Sequence, residues 1–357
     1  MKRKFLIAGG GTGGHIYPGI AIARAIENLD PEIEVEFVGS HLGLEKSIVP
    51  REGFTLHQLA SGKVNYSGSV LAKVFGLFKV LVGFFQAAKL LIQLKPVGVL
   101  GVGGYASVPL VFVASLMKIP TTIWEPNAHP GLANRLLSHL VPRAFVVFEE
   151  AKKHLKSKII LQVGLPVRKE LENILPKAPT DELHVLSFGG SQGAKAINDV
   201  LSQAVQKESQ WLHKSKLIHQ TGVSDYSKIK EIYDQSVFDV EVYEYLFEMD
   251  QFYSWADIVI ARSGASTIAE LAAVGKPAIL IPLPTSADDH QRKNAMVLAR
   301  AGAAIMIEQK DLTVEKINEV LLDLQRNPHR MSDLAQQIKL LHKPFAAESI
   351  AKSLLKL

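Results

Sequence analysis

Short, nearly unbroken apolar runs separated by helix-length segments are the feature that most limits what this chain can build. They fall at 5–8, 35–38, 97–102, 121–124, 145–148, 185–188, 258–260 and 278–281. A strand with one solvated face alternates polar and apolar residues, whereas a strand covered by helices on both faces reads as a continuous apolar run. The pattern therefore predicts parallel sheets flanked by helices, the α/β class, as far as about residue 310.

The pattern also repeats. The run at 5–8 leads into Gly9-Gly10-Gly11-Thr12-Gly13-Gly14-His15, and the run at 185–188 leads into Gly189-Gly190-Ser191-Gln192-Gly193-Ala194. Each reads as a strand, a glycine-rich turn and a helix. A chain of 357 residues, at roughly 150 residues per domain, has room for two such halves. The expected division is 1–163 and 164–342, with a linker around Val163-Gly164-Leu165-Pro166-Val167-Arg168 and a closing segment at 343–357 that reads as a final helix from Ala346.

Composition narrows the function classes. With 47% hydrophobic and 21% charged residues the chain is globular. The absence of cysteine removes disulfides, thiolate metal sites and thiol nucleophiles. The basic start, Met1-Lys2-Arg3-Lys4, is followed only by Phe5-Leu6-Ile7-Ala8 before glycines begin, short of the ~7–15 apolar residues of a signal peptide, so a cytoplasmic protein is expected. A net charge of +5 favours phosphorylated metabolites or acidic lipid surfaces. Nucleic acid is not expected, because no Arg-rich or aromatic-interleaved segment is present. Asp288-Asp289 is a lone acidic pair, and no His, Asp and Glu set has metal-ligand spacing, so neither a metal nor a cofactor is expected.

Residues 70–95 are the most apolar stretch, yet Lys73, Lys79, Gln86, Lys89 and Gln93 interrupt it and the longest unbroken run is 80–85. A spanning helix needs ~20 mostly apolar residues. At helical spacing Lys79, Gln86, Lys89 and Gln93 gather on one narrow side and leave a wide apolar face. Part of that face suits packing on a sheet. The rest, with Phe75, Phe78, Phe84 and Phe85 beside lysines, suits an anionic membrane surface.

Three strand-to-helix turns carry the candidate chemistry. Gly9 to Gly14 fits G-x-G-x-x-G, which turns backbone N–H groups and a helix N-terminus toward an anion. The second strand ends Phe37-Val38-Gly39-Ser40, without the acid that would hold a dinucleotide ribose, and no Lys-Ser/Thr pair follows the loop, so nicotinamide binding and triphosphate hydrolysis are disfavoured. His15, at the first turn of that helix, is placed where the dipole favours the neutral imidazole that a general base requires. Gly189 to Ala194 offers a second anion cradle with the Ser191 hydroxyl. Arg262-Ser263-Gly264-Ala265-Ser266-Thr267-Ile268-Ala269-Glu270 offers a third helix start, with Glu270 placed to accept both hydroxyls of a ribose. Gln291 and Asn294 lie three apart on one helix face, suited to hydrogen bonds with a neutral sugar.

These motifs, together with Gly101-Val102-Gly103-Gly104-Tyr105-Ala106-Ser107 and Glu125-Pro126-Asn127, resemble the MurG-type peptidoglycan glycosyltransferases. That family moves N-acetylglucosamine from UDP-N-acetylglucosamine onto undecaprenyl-pyrophosphoryl-N-acetylmuramoyl-pentapeptide, turning lipid I into lipid II. The resemblance runs over almost the whole chain. It implies a GT-B fold, two Rossmann-like domains with parallel sheets facing a central cleft, the acceptor on the first, the donor on the second, and a last helix crossing back to the first. It implies that Thr12, Gly13 and Gly14 lie near the donor phosphates and the acceptor, and that Asn127 contacts the transferred sugar. Arg168 and Ser191 would meet the pyrophosphate, the backbone at Leu246 would face uracil, Ala265, Ser266, Thr267, Ile268, Ala269 and Glu270 would hold phosphates and ribose, and Gln291 would bind sugar hydroxyls.

The sequence departs from the family's pattern where Glu-Gln-Asn reads Glu125-Pro126-Asn127, Gly-Asn-Pro-Val-Arg reads Gly164-Leu165-Pro166-Val167-Arg168, and Gln-Gln reads His290-Gln291. A basic glycine loop common in the family is represented by Ser61-Gly62-Lys63-Val64-Asn65-Tyr66. The implied reaction is one inverting displacement in cell-wall synthesis, at the cytoplasmic face of the inner membrane, with His15 as base and Glu125 in reserve. A glycolipid glycosyltransferase with another acceptor is the alternative.

Overall fold

The structure, a computed structural model, describes residues 2–10, 13–41, 43–60, 70–104, 107–174, 177, 181–190 and 192–356, and of 13, 70–80 and 169 the backbone alone. The chain forms two compact units, Met1–Pro166 with Phe345–Leu357, and Val167–Pro344.

The first unit is built on strands β1 (Arg3–Gly9), β2 (Ile33–Ser40), β3 (Leu56–Leu59), β4 (Gly98–Gly103), β5 (Thr121–Glu125), β6 (Arg143–Val146) and β7 (Ile159–Gln162), in the order 3-2-1-4-5-6-7. The second uses β8 (Leu183–Phe188), β9 (Ser215–Gln220), β10 (Val240–Tyr243), β11 (Ile258–Ala261), β12 (Ala278–Leu280) and β13 (Ile305–Met306), in the order 10-9-8-11-12-13. All pairings are parallel. The two orders are the same winding written twice: the chain builds outward from a central strand in one direction, returns, and builds in the other. Each sheet therefore has one point where the crossovers change sides, between β1 and β4 and between β8 and β11.

The apolar runs explain the central strands, since β4, β5 and β11 are buried at every residue and pack beneath helices on both faces. Five strands escape the apolar-run reading. β3, β7, β10 and β13 lie at or toward the sheet edges and are short or half exposed. β9 is interior, but its last two residues, His219 and Gln220, are polar and buried, so hydropathy alone hides it.

The long helix Val70–Leu94 packs through Ala87 and Leu91 while leaving Leu81, Phe85 and Ile92 exposed, Phe85 at 77%. Phe84 turns inward to an edge-on contact with Phe112. Gln86, on the polar side, accepts the Ala60 N–H at 2.7 Å. The side chains of Lys73, Phe75, Phe78 and Lys79 are outside the description. Among the described residues no helix is long and apolar enough to cross a membrane.

The closing helix Ala346–Leu354 packs on the helix Gly13–Leu29 of the first unit, burying Ile350, Ala351 and Leu354. Arg143, at the start of β6, donates to the Ser353 carbonyl at 2.6 Å and to its hydroxyl at 3.1 Å. A cation thus meets the carbonyl end of the helix, which the dipole favours. Because Ile350 is fully enclosed, Ile350→Ala is expected to lower the unfolding free energy of the first unit by about 2–4 kcal/mol, read as a shift of its denaturant midpoint. An unmoved midpoint would separate this helix from the unit's core.

Candidate active site

In the first unit the switch point is made of glycine. β1 and β4 run in register from Phe5–Gly98 to Ala8–Gly101 and then slip by one residue, so that Gly9 pairs with Gly103. Gly103 and Gly104 have φ of +104° and +82°, a region closed to most side chains. A Cβ on Gly104 would strike the Gly10 carbonyl, and one on Gly103 would stand 2.9 Å from the His15 ring. His15 is half-buried in the first turn of the helix Gly13–Leu29, its imidazole laid against the end of β4. Gly13 and Gly14 form that same turn. Thr12, Gly11, Tyr105, Ala106 and the 61–66 loop lie outside the described residues.

A carboxylate that sequence reasoning missed sits under this turn. Glu45, the first residue of the helix Glu45–Arg51, is buried and accepts the Ser40 N–H at 2.9 Å and the Ser40 hydroxyl at 2.7 Å. Gly10, Gly39 and Gly43 approach it so closely that a Cβ on Gly10 or Gly43 would overlap its carboxyl and one on Gly39 its Cγ. It is folded back to Ser40 from five residues further on and is spent inside the fold. Its only sequence signal is the glycine spacing around it.

Glu125, the last residue of β5, is 2% exposed. Its Oε1 accepts the Asn127 main-chain N–H (2.9 Å) and side-chain amide (3.0 Å), and its Oε2 accepts the Gly131 N–H (3.1 Å) and the Asn134 amide (2.9 Å). Burial pushes its pKa up, and the four donors offset only part of that rise. All four partners are N–H donors, so the arrangement suits the ionised carboxylate. With both oxygens occupied and no access, Glu125 shapes the loop that carries Asn127 and is not placed to take a substrate proton, which argues against its reserve role as base.

In the second unit the chain leaves the carboxyl ends of β8, β10, β11 and β12 through the candidate donor residues. The turn after β8 has Gly190 at φ +82° and Gly193 at φ +74°, and the helix Lys195–Gln206 follows. A Cβ on Gly193 would strike the Thr221 carbonyl. Ser191 lies outside the described residues. After β10 comes Leu246, buried. After β11, Arg262 donates to the Ile281 and Pro282 carbonyls, each at 3.1 Å, and to Gln309 at 2.8 Å, so it ties strand ends together. Ser263 donates to the Gln291 carbonyl at 2.8 Å, and Gln291 in turn accepts the Leu283 N–H at 3.0 Å. That bond fixes the Gln291 amide orientation.

Ala265 begins the helix Ala265–Val274, whose Ser266, Thr267, Ile268 and Ala269 lead to Glu270. Glu270 accepts the Tyr253 hydroxyl at 3.0 Å and faces Arg168 at 3.8 Å. Burial raises its pKa, while the Arg168 charge and the Tyr253 hydrogen bond oppose that. Its side chain keeps 24% exposure, which leaves it accessible to a ligand hydroxyl.

Behind the Gly189 turn lies a closed polar network. Asn198 donates to the Thr221 carbonyl and to Asp225, both at 2.8 Å, and lies 3.1 Å from His219 Nε2 through its oxygen. His219 Nε2 therefore carries the proton and Nδ1 accepts the Tyr233 hydroxyl at 2.8 Å. Every ring nitrogen is satisfied in the neutral form.

Comparison with known proteins follows this geometry. Residues 5–146 match the glycosyltransferase family 28 N-terminal domain and residues 184–353 its C-terminal domain. The chain is 48% identical over 356 residues to the UDP-N-acetylglucosamine--N-acetylmuramyl-(pentapeptide) pyrophosphoryl-undecaprenol N-acetylglucosamine transferase of Bdellovibrio bacteriovorus, covering 99% of both chains. The chain belongs to the MurG family of glycosyltransferases. The transferase of the same name from Myxococcus xanthus is 39% identical over 98% of this chain and 91% of its own. The crystal structure of Acinetobacter baumannii MurG superposes with a TM-score of 0.82 at 27% identity, covering 99% of this chain and 100% of that one. Both units thus carry the parallel α/β sheets of the GT-B fold.

Burial lowers the pKa of His219 to about 3 from 6.5. The unfolded chain therefore binds the extra proton between those values, and stability rises with pH across that window. Acidifying from pH 6.5 to 5 is expected to destabilise the second unit by up to about 1.4 kcal/mol per pH unit through this residue. His219→Gln should flatten the midpoint-against-pH curve, and an unchanged slope would exclude the network as its source.

Proposed function

We infer that the chain transfers N-acetylglucosamine from UDP-N-acetylglucosamine to the 4-hydroxyl of undecaprenyl-pyrophosphoryl-N-acetylmuramoyl-pentapeptide, in peptidoglycan synthesis. The observation that carries this reading is identity of 48% across both units to a transferase named for that donor and acceptor.

The second unit takes the donor. Its diphosphate meets the N-termini of the helices Lys195–Gln206 and Ala265–Val274, the Ser191 hydroxyl and the Arg168 guanidinium. Glu270, whose pKa burial raises against the opposing pull of the Arg168 charge and the Tyr253 hydrogen bond, accepts the ribose hydroxyls. The backbone at Leu246 faces uracil. With its oxygen held by Leu283, Gln291 presents its amide N–H groups to sugar hydroxyls.

The first unit takes the acceptor, with Thr12, Gly13 and Gly14 beside it and Asn127, braced by Glu125, against the transferred sugar. His15 accepts the proton of the acceptor 4-hydroxyl as that oxygen bonds to the anomeric carbon. The bond from that carbon to the diphosphate breaks on the opposite face and UDP leaves with the electron pair, giving a β-1,4 linkage. Charge growing on the leaving diphosphate is met by the helix N-termini, Ser191 and Arg168, an electrostatic contribution that acts more strongly in the transition state than in the ground state.

The enzyme works as a peripheral protein on the cytoplasmic face of the inner membrane. The exposed stripe Leu81, Phe85 and Ile92, with Lys89 beside it, supports this reading, as does the +5 charge. Replacing the three apolar residues together by Ser should release the protein from anionic vesicles in a sedimentation assay while leaving turnover of a soluble acceptor analogue unchanged. Equal sedimentation would remove the stripe from that role.

The deciding assay measures UDP release from UDP-N-acetylglucosamine with and without a lipid I analogue. Release that depends on the analogue supports the reading, and release indifferent to it refutes the acceptor assignment. In the same assay His15→Ala should lower turnover by ~10²-fold or more with donor affinity retained. Wild-type turnover in that variant would rule His15 out as the base.

A further inference from the structure

We propose that Gln220 is a positioning residue of the donor site, tying the glycine turn after β8 to the segment after β10 so that nucleobase and diphosphate are read at a fixed spacing. The proposal rests on the donor assignment above and deepens it.

Gln220 is the last residue of β9, the strand that lies between β8 and β10. In register it pairs with Phe188 on one side and Tyr243 on the other, the last residues of those two strands. One residue further on, the backbones of β8 and β10 leave the sheet. The Gln220 side chain spans that divergence: its Nε2 donates to the Gly190 carbonyl and to the Glu244 carbonyl, each at 3.1 Å. Both partners are acceptors, so the amide orientation is not ambiguous. The residue is 3% exposed, and the two N–H groups of one planar nitrogen hold the two carbonyls at a set separation.

Both ends of the brace reach the donor site. The Gly190 carbonyl also accepts the Gly193 N–H at 2.9 Å, so Gln220 and Gly193 together fix the left-handed turn at Gly190 that aims the loop at the diphosphate. Glu244 is two residues before Leu246, the residue proposed to face uracil. A ligand that touches both segments gains from their being held at the right distance before it arrives; a ligand that touches one does not. The brace is therefore a device for UDP as a whole and is indifferent to uridine or diphosphate alone.

The test uses Gln220→Met, close in length and volume but without donors, and Gln220→Glu, which keeps the shape and turns an acceptor on the two carbonyls. Calorimetry with UDP, uridine and inorganic pyrophosphate, and steady-state kinetics, are compared with wild type. In both variants affinity for UDP should fall about tenfold, near the worth of one buried hydrogen bond. KM for the sugar nucleotide should rise to match, while kcat at saturating donor, KM for the acceptor analogue and affinity for uridine and for pyrophosphate stay unchanged. Unaltered UDP binding, or equal weakening of all three ligands, overturns the proposal.

Failure of wild type to bind UDP at all would instead refute the donor assignment.

Discussion

Parallel pairing is the constraint on which the rest depends. Within each sheet every strand runs the same way, so the chain exits that feed a following helix lie at one end of that sheet, and each delivers a helix N-terminus with unpaired N–H groups. Gly9, Gly189 and Gly264 follow from this single fact. A row of helix N-termini is built twice in one chain, once on each sheet.

That end of each sheet is shaped from beneath by buried polar groups. Glu45 under the first glycine turn, Glu125 under the Asn127 loop, and the Asn198, His219 and Tyr233 network behind the second glycine turn are each enclosed and hydrogen-bonded. A buried polar group is costly when unmatched and rigid when matched. These groups occur below loops that must hold one conformation without a covering layer of apolar side chains. In the first turn Gly10 gives room to the Glu45 carboxyl, which a Cβ there would overlap.

The central strands, the doubling of the fold and the three helix starts were legible because each rests on local pattern: continuous apolar runs, glycine after a strand, a polar first turn. β9 was not, because its burial is spent on His219 and Gln220, which a hydropathy reading scores as exposed. Glu125 was read as the reserve base. Its four donors, from residues two, six and nine positions along, assign it to the loop.

What the sequence determined by itself was the α/β class and the repeated half, since those follow from spacing along the chain. The strand orders, the slip that sets Gly9 beside Gly103, the placing of Arg168 at 3.8 Å from Glu270, and the hydrogen bonds from Gln220 to the segments after β8 and β10 were decided by tertiary structure. Each joins groups separated by tens of residues or more, and such contacts exist only when burial of the two sheets fixes the registers that bring them together.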